Sequence, residues 1–153
     1  MFFSMPISLA CILAVADAVG QHGPSSLPEF RALSQIESGD RDFKIGRSGE
    51  VSRYQIKPST WKSYDVVPYN VHHWSRHEYA SYVAMQHAAW LKKNFQSSTG
   101  YNKYPNPIEF YCLWNLGLEG FRKYSFSVQA VPHKTRNAAM RYNNLILLYS
   151  GKN

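Results

Sequence analysis

The sequence predicts an α+β domain that is mostly α, with one small β-hairpin following its first helix. Three observations predict it. Apolar residues recur at helical spacing in four separate stretches between Leu27 and Tyr149. One glycine-punctuated segment, Lys44 to Ile56, alternates and reads as a short hairpin or an irregular β segment. The 153 residues, 44% of them hydrophobic and 18% charged, suit one core in one domain.

The chain begins MFFSMPISLACILAVADAVG. Ile7 to Ala16 is apolar over the length of a signal-peptide h-region, and Ala14-Val15-Ala16 and Ala16-Asp17-Ala18 both satisfy the small-x-small cleavage rule. Residues 1–18 are therefore read as a signal peptide, 19–26 as a polar linker and 27–150 as the folded domain. The expectation is an exported protein, periplasmic or secreted, without stable membrane insertion once the leader is removed. Cleavage removes Cys11 and leaves Cys112, which then packs as a small apolar residue with no disulfide.

Ser26-Leu27-Pro28-Glu29 matches a capping box, and a helix is expected from Leu27 to Ser38, stopped by Gly39. Phe30, Leu33 and Glu37 share one face of it, so Glu37 occupies a position where an apolar side chain belongs. The hairpin segment follows, then a short helix opening at Pro58 and a loop from Asp65 to Asn70. Ser75 to Phe95 is the longest helical pattern, with Ala80, Val83, Ala84, His87, Trp90 and Leu91 in one stripe. Ser97 to Lys103 reads as loop, Asn106-Pro107-Ile108-Glu109 as a second capping signal, and Pro132 as the start of the last helix.

Formal net charge is +7, which favours anionic partners. The basic residues are scattered, with no run of five, so no nucleic-acid tail is indicated. His73 and His77 would be i, i+4 in a helix, but no suitably spaced Cys or carboxylate accompanies them, and no metal is expected. The chain has no phosphate-binding glycine loop, dinucleotide fingerprint or Gly-x-Ser-x-Gly, and no cofactor is expected.

A carboxyl on an apolar helix face loses hydration, and its pKa rises. A carboxylic acid still protonated near neutrality suits protonation of a glycosidic oxygen. The surrounding pattern agrees. Ile36-Glu37-Ser38-Gly39, the segment Gly46 to Ile56, Pro58-Ser59-Thr60-Trp61, Leu113-Trp114-Asn115-Leu116-Gly117, and Val131-Pro132 with Thr135-Arg136-Asn137 follow one another in order. Together they resemble the lytic transglycosylase and goose-type lysozyme superfamily, over about Leu27 to Leu148.

The resemblance implies a lysozyme-like fold and cleavage of the β-1,4 bond between N-acetylmuramic acid and N-acetylglucosamine in peptidoglycan. It makes Glu37 the general acid and base, leaving 1,6-anhydro-muramyl ends. Ser38 and Gln55 would contact sugar or orient the acid, Asn115 would bind the N-acetyl sugar, and Gly117 would admit close approach. Tyr54 would stack on a sugar ring or pack in the core. The family's final-helix tyrosine aligns with Ala138, so its contact with the acid is either missing or replaced by Tyr142. Ser52-Arg53 replaces the Gly-Leu of the family's Gly-Leu-Met-Gln element, and Arg53 would put a cation beside substrate. Glu50 would position water if the enzyme is a muramidase, which needs a second carboxylate roughly 6.5–9.5 Å from the first; otherwise it is a solvated charge or pairs with Arg53 or Arg47. A third reading is a catalytically weak wall-binding or assembly protein.

Overall fold

Proline at the first helical position fixes φ where no N–H partner is needed, and three helices of this chain start that way. The computed structural model describes residues 24–100 and 103–151. The expected signal peptide and most of the expected linker lie outside them. Residues Pro24–Ser26, assigned to the linker, form a single 3₁₀ turn.

The described chain is mostly helical. Its helices are α1 (Pro28–Ser38), α2 (Pro58–Ser63), α3 (Val71–Trp74), α4 (His77–Thr99), α5 (Pro107–Arg122) and α6 (His133–Tyr149). α6 packs on α1 and α5, and α4 packs on α5 and α3. The core between them holds Leu33, Val83, Leu91, Leu113, Phe121 and Tyr142, all fully buried. Each such side chain contributes roughly 1.5–3 kcal/mol by leaving water. Cys112 is buried among them as a free thiol.

The capping box at Ser26 does not form. Leu27 is the N-cap of α1 and accepts no side-chain bond there, while Glu29 pairs with Lys92 of α4 at 3.0 Å. Gly39 ends α1 at φ 65°, as the sequence indicates. The second box does form: the Asn106 side chain accepts from the Glu109 N–H at 3.0 Å, and Glu109 accepts from the Asn106 N–H at 2.9 Å. α4 starts at His77 and runs on to Thr99, beyond the expected end, and Gly100 closes it at φ 67°.

Of the two forms expected here, a short hairpin or an irregular β segment, residues 45–56 take the irregular one, a compact double turn. Val51 forms two isolated antiparallel bridges, one to Ile45 and one to Ile56, and no ladder extends from them. The reason is local. Gly49, Ser52 and Gln55 all have positive φ, at 81°, 71° and 50°, which bends the chain too tightly for paired strands. Positive φ at Ser52 also breaks the two-residue alternation, so Val51, Ser52, Tyr54 and Ile56 are all buried together. Tyr54 anchors the turn to α4 through a 2.9 Å bond between its hydroxyl and that of Ser81.

α5 is not one uninterrupted helix. At Gly117 the backbone leaves helical space for φ 73°, ψ 167°, a region open essentially to glycine. A Cβ added there would meet nothing within 4 Å, so the requirement is conformational and not steric crowding. Gly117→Ala is expected to lower stability by roughly 1–3 kcal/mol, read as a shifted urea midpoint. An unchanged midpoint would show that the kink imposes no glycine requirement.

Candidate functional site

α1 buries Phe30 and Leu33 and, one turn later on the same face, presents Glu37. Its carboxyl meets α5, where the Tyr111 hydroxyl donates to Glu37 Oε1 at 2.8 Å. Burial pushes the Glu37 carboxyl up from 4.5 to about 7. The Tyr111 bond acts in the opposite direction because it favours the charged acceptor, and the nearby Glu50 carboxylate adds a smaller upward push. The same burial, together with the Glu37 charge, holds the Tyr111 phenol firmly protonated and therefore a permanent donor.

Glu37 opens onto a cavity of about 370 Å³. The double turn forms one wall, with Gly46, Arg47, Glu50 and Gln55. Gly46 lets two side chains approach closely: a Cβ there would lie 2.6 Å from Gln55 Oε1 and closer still to Glu50 Oε2, so one or both side-chain ends would have to move. The Ser48 N–H holds Glu50 Oε2 at 3.0 Å, and Gln55 Nε2 donates to the Lys44 and Ser52 carbonyls at 3.1 and 2.9 Å. Both side chains are thus fixed over the glycine backbone by the turn's own hydrogen bonds.

The facing wall comes from α4 and α5, with His87, Trp90, Trp114, Asn115 and the Gly117 kink. Thr135 of α6 donates its hydroxyl to Asn115 Oδ1 at 2.9 Å, which orients the amide and leaves Nδ2 without a partner among the described residues. Lys57 and Thr60 reach the cavity from the start of α2. Arg47 and Lys57 are exposed cations, and neither has an ion-pair partner among the described residues.

Of the residues singled out by sequence, Glu37, Glu50, Gln55, Asn115 and Gly117 line this one cavity. The others do not. Ser38 is buried and spends its hydroxyl on the turn after α1, donating to the Ser34 carbonyl and accepting from the Arg41 N–H. Tyr54 is fully buried, with its ring edge-on to Phe30, so no face is free for a sugar. Tyr142 is also fully buried and does not substitute for the expected contact with the acid. Its ring packs 5.5 Å from that of Tyr111, and its hydroxyl has no partner among the described residues. Arg53 turns away to Asp42 at 2.7 Å, so the cations beside the cavity are Arg47 and Lys57. Glu50 pairs with neither Arg47 nor Arg53.

Sequence reasoning missed Tyr111, Trp114, Trp90 and the site position of His87. Tyr111 and Trp114 lie in the apolar run FYCLWNLG, and Trp90 and His87 in a stripe that reads as core. A signal existed: a buried tyrosine or tryptophan needs a partner for its polar tip. Among the described residues no cluster of His, Cys, Asp and Glu has the arrangement of a metal site, and no helix is long and apolar enough to cross a membrane. No family model, curated protein or solved structure matches the chain.

Two outcomes follow from the electrostatics. Tyr111→Phe removes the bond that lowers Glu37, so Glu37 should titrate above 7 in that variant, followed by carboxyl-labelled NMR, while Tyr142→Phe leaves the titration in place. The folded value lies above the ordinary one, so this group's contribution to stability is complete below pH 4.5 and is lost as pH rises to about 7. Glu37→Gln should therefore raise stability at pH 8 by on the order of 2 kcal/mol and change it little at pH 4. Equal melting shifts at both pH values would contradict the assigned desolvation.

Proposed function

We propose that this chain is an exported peptidoglycan-cleaving enzyme of lysozyme-like fold, a lytic transglycosylase that cuts the β-1,4 bond between N-acetylmuramic acid and N-acetylglucosamine. One observation carries the reading: a desolvated glutamic acid, with its carboxyl raised to about 7 and gripped by a tyrosine hydroxyl, faces a polar-lined cavity. Support also comes from the sequence resemblance and from Gln55, Asn115 and Gly117 meeting in that cavity.

In this mechanism protonated Glu37 gives its proton to the glycosidic oxygen as the bond breaks and positive charge develops on the sugar ring. The resulting carboxylate is stabilised by the Tyr111 hydroxyl. It then takes the proton of the muramic acid C6 hydroxyl, which closes on C1 to give the 1,6-anhydro product. Asn115 Nδ2 donates to the acetamido carbonyl of a bound sugar. Arg47 and Lys57 attract the anionic wall polymer, an attraction that salt weakens.

Glu50 favours a second reading. It shares the cavity and is close enough to raise Glu37, as a water-positioning carboxylate of a muramidase would be. The products separate the two: anhydro-muramyl ends for the first, reducing ends for the second, by mass analysis of released muropeptides. Glu37→Gln should abolish release in either case, a fall of at least 10²-fold. Wild-type release from the Glu37→Gln protein would remove Glu37 from the chemistry. Glu50→Gln should leave a transglycosylase active, with its alkaline limb moved down because a charge that raises Glu37 is gone. In a muramidase it should stop turnover.

The first step needs protonated Glu37, so the rate on isolated wall should fall as pH rises through about 7. A rate still climbing at pH 9 would count against Glu37 as the acid.

A further inference from the structure

The segment that leads from α1 into the double turn has its polarity reversed. Asp42 turns inward to Arg53 at 2.7 Å, and the Lys44 carbonyl is taken by the Gln55 amide at 3.1 Å. Arg41 Nε donates to the Ser38 carbonyl at 2.7 Å. These bonds hold the polar members against the fold, and the apolar residues between them project into water. Phe43 is 72% exposed and Ile45 60%. Burying either would stabilise the fold, so folding does not call for their exposure. The cluster continues onto α3. The Phe43 ring lies edge-on to Trp74, with centroids 6.1 Å apart, and Val71, one turn before Trp74, is also exposed. Single exposed apolar side chains are ordinary, but a cluster rimmed by charge marks a contact surface.

The rim is cationic. Arg41 and Arg47 are exposed and Lys44 is half-buried, and none of the three has an ion-pair partner among the described residues. The nearby acids are engaged: Asp42 by Arg53, Asp40 by the Ser34 hydroxyl and Glu50 by the Ser48 N–H. Apolar tips within a ring of cations match the boundary of an anionic bilayer, where acyl chains lie beneath phosphate. A glycan polymer supplies charge but no acyl phase for Phe43. A stable protein partner buries roughly 800 Å² on each side, more than one tight turn with two protruding side chains offers.

We propose that this turn docks the protein on an anionic phospholipid membrane. Phe43 and Ile45 enter the acyl boundary, and Arg41, Lys44 and Arg47 meet lipid phosphate. The docking is peripheral and reversible, because two apolar tips and three cations are few. Gly46 and Arg47 also line the cavity, so docking holds that cavity beside the membrane. The assignment goes beyond the glycan reading and does not rest on it, since it needs neither Glu37 nor turnover.

The test titrates the full chain with vesicles of phosphatidylglycerol and phosphatidylcholine in equal parts, and with phosphatidylcholine alone. Bound protein is read by co-sedimentation. Binding to the anionic vesicles should be roughly tenfold tighter or more, and added salt should weaken it. Phe43→Ser should weaken it about tenfold, and Lys44→Gln roughly fivefold at low salt. Residues 1–18 are common to all these proteins, so a second readout isolates the turn. Vesicles with brominated acyl chains should quench the indole emission of Phe43→Trp more strongly than that of the wild type. Thermal melts confirm that each variant is folded, as its exposed position leads one to expect.

Equal binding to neutral vesicles, undiminished binding by Phe43→Ser, or no added quenching in Phe43→Trp overturns the docking. So does retention on lipid-free cell wall, or self-association, that Phe43→Ser abolishes in a protein indifferent to vesicles. The two proposals fail separately. Wall cleavage by a protein that ignores vesicles sinks the docking alone. Vesicle binding through Phe43, in a protein that releases nothing from cell wall, sinks the enzyme alone.

Discussion

The hydrogen bond from Tyr111 to Glu37 is the interaction on which the rest of the site depends. It joins α1 to α5 at the one place where α1's apolar face turns acidic. Without a donor there, a carboxyl in that position would be costly in either protonation state: charged it lacks hydration, and neutral it lacks a partner for its acceptor oxygen. With the donor, both states are tolerated and the balance between them falls near neutrality. Tyr111 is held in turn by α6, whose Tyr142 ring packs against it. The final helix therefore supports the acid from one layer behind, while the neighbouring helix touches it.

The cavity is built by contrast between its two walls. The double turn contributes polar side chains fixed by their own backbone, and its shape depends on Tyr54 reaching Ser81 inside the core. The helical wall contributes flat rings held by packing and by one half-buried contact, that of Tyr64 with His87. A kink at Gly117 completes the far end, where the helical path would otherwise carry Asn115 and Leu118 around one continuous cylinder.

Much of the site's first wall was legible because its residues violate local rules. Glu37 stands where an apolar residue belongs, and Glu50 and Gln55 sit in a glycine-punctuated segment, so each stands out within a few positions of sequence. Helix α5 likewise announced itself through Asn106 and Glu109, two residues that close a box without help from the rest of the chain. Of the second wall, Asn115 and Gly117 were legible through their motif, and the aromatic residues were not, for the opposite reason. Tyr111, Trp114 and Trp90 obey helical periodicity, and nothing local distinguishes a stripe that meets another helix from one that meets a cavity. That difference depends on where α2 and α5 lie. Between Lys44 and Ile56 the alternation left a hairpin and an irregular β segment both open, because it could not reveal that Ser52 and Gln55 take positive φ.

Gly46 has a consequence for the cavity it lines. The Glu50 carboxylate and the Gln55 amide fill the space that any other residue's Cβ would need. A methyl group at that position would expel at least one of them, however conservative the exchange looks on paper. A side chain at 46 would therefore act on the cavity indirectly, by displacing the Glu50 and Gln55 groups that line it.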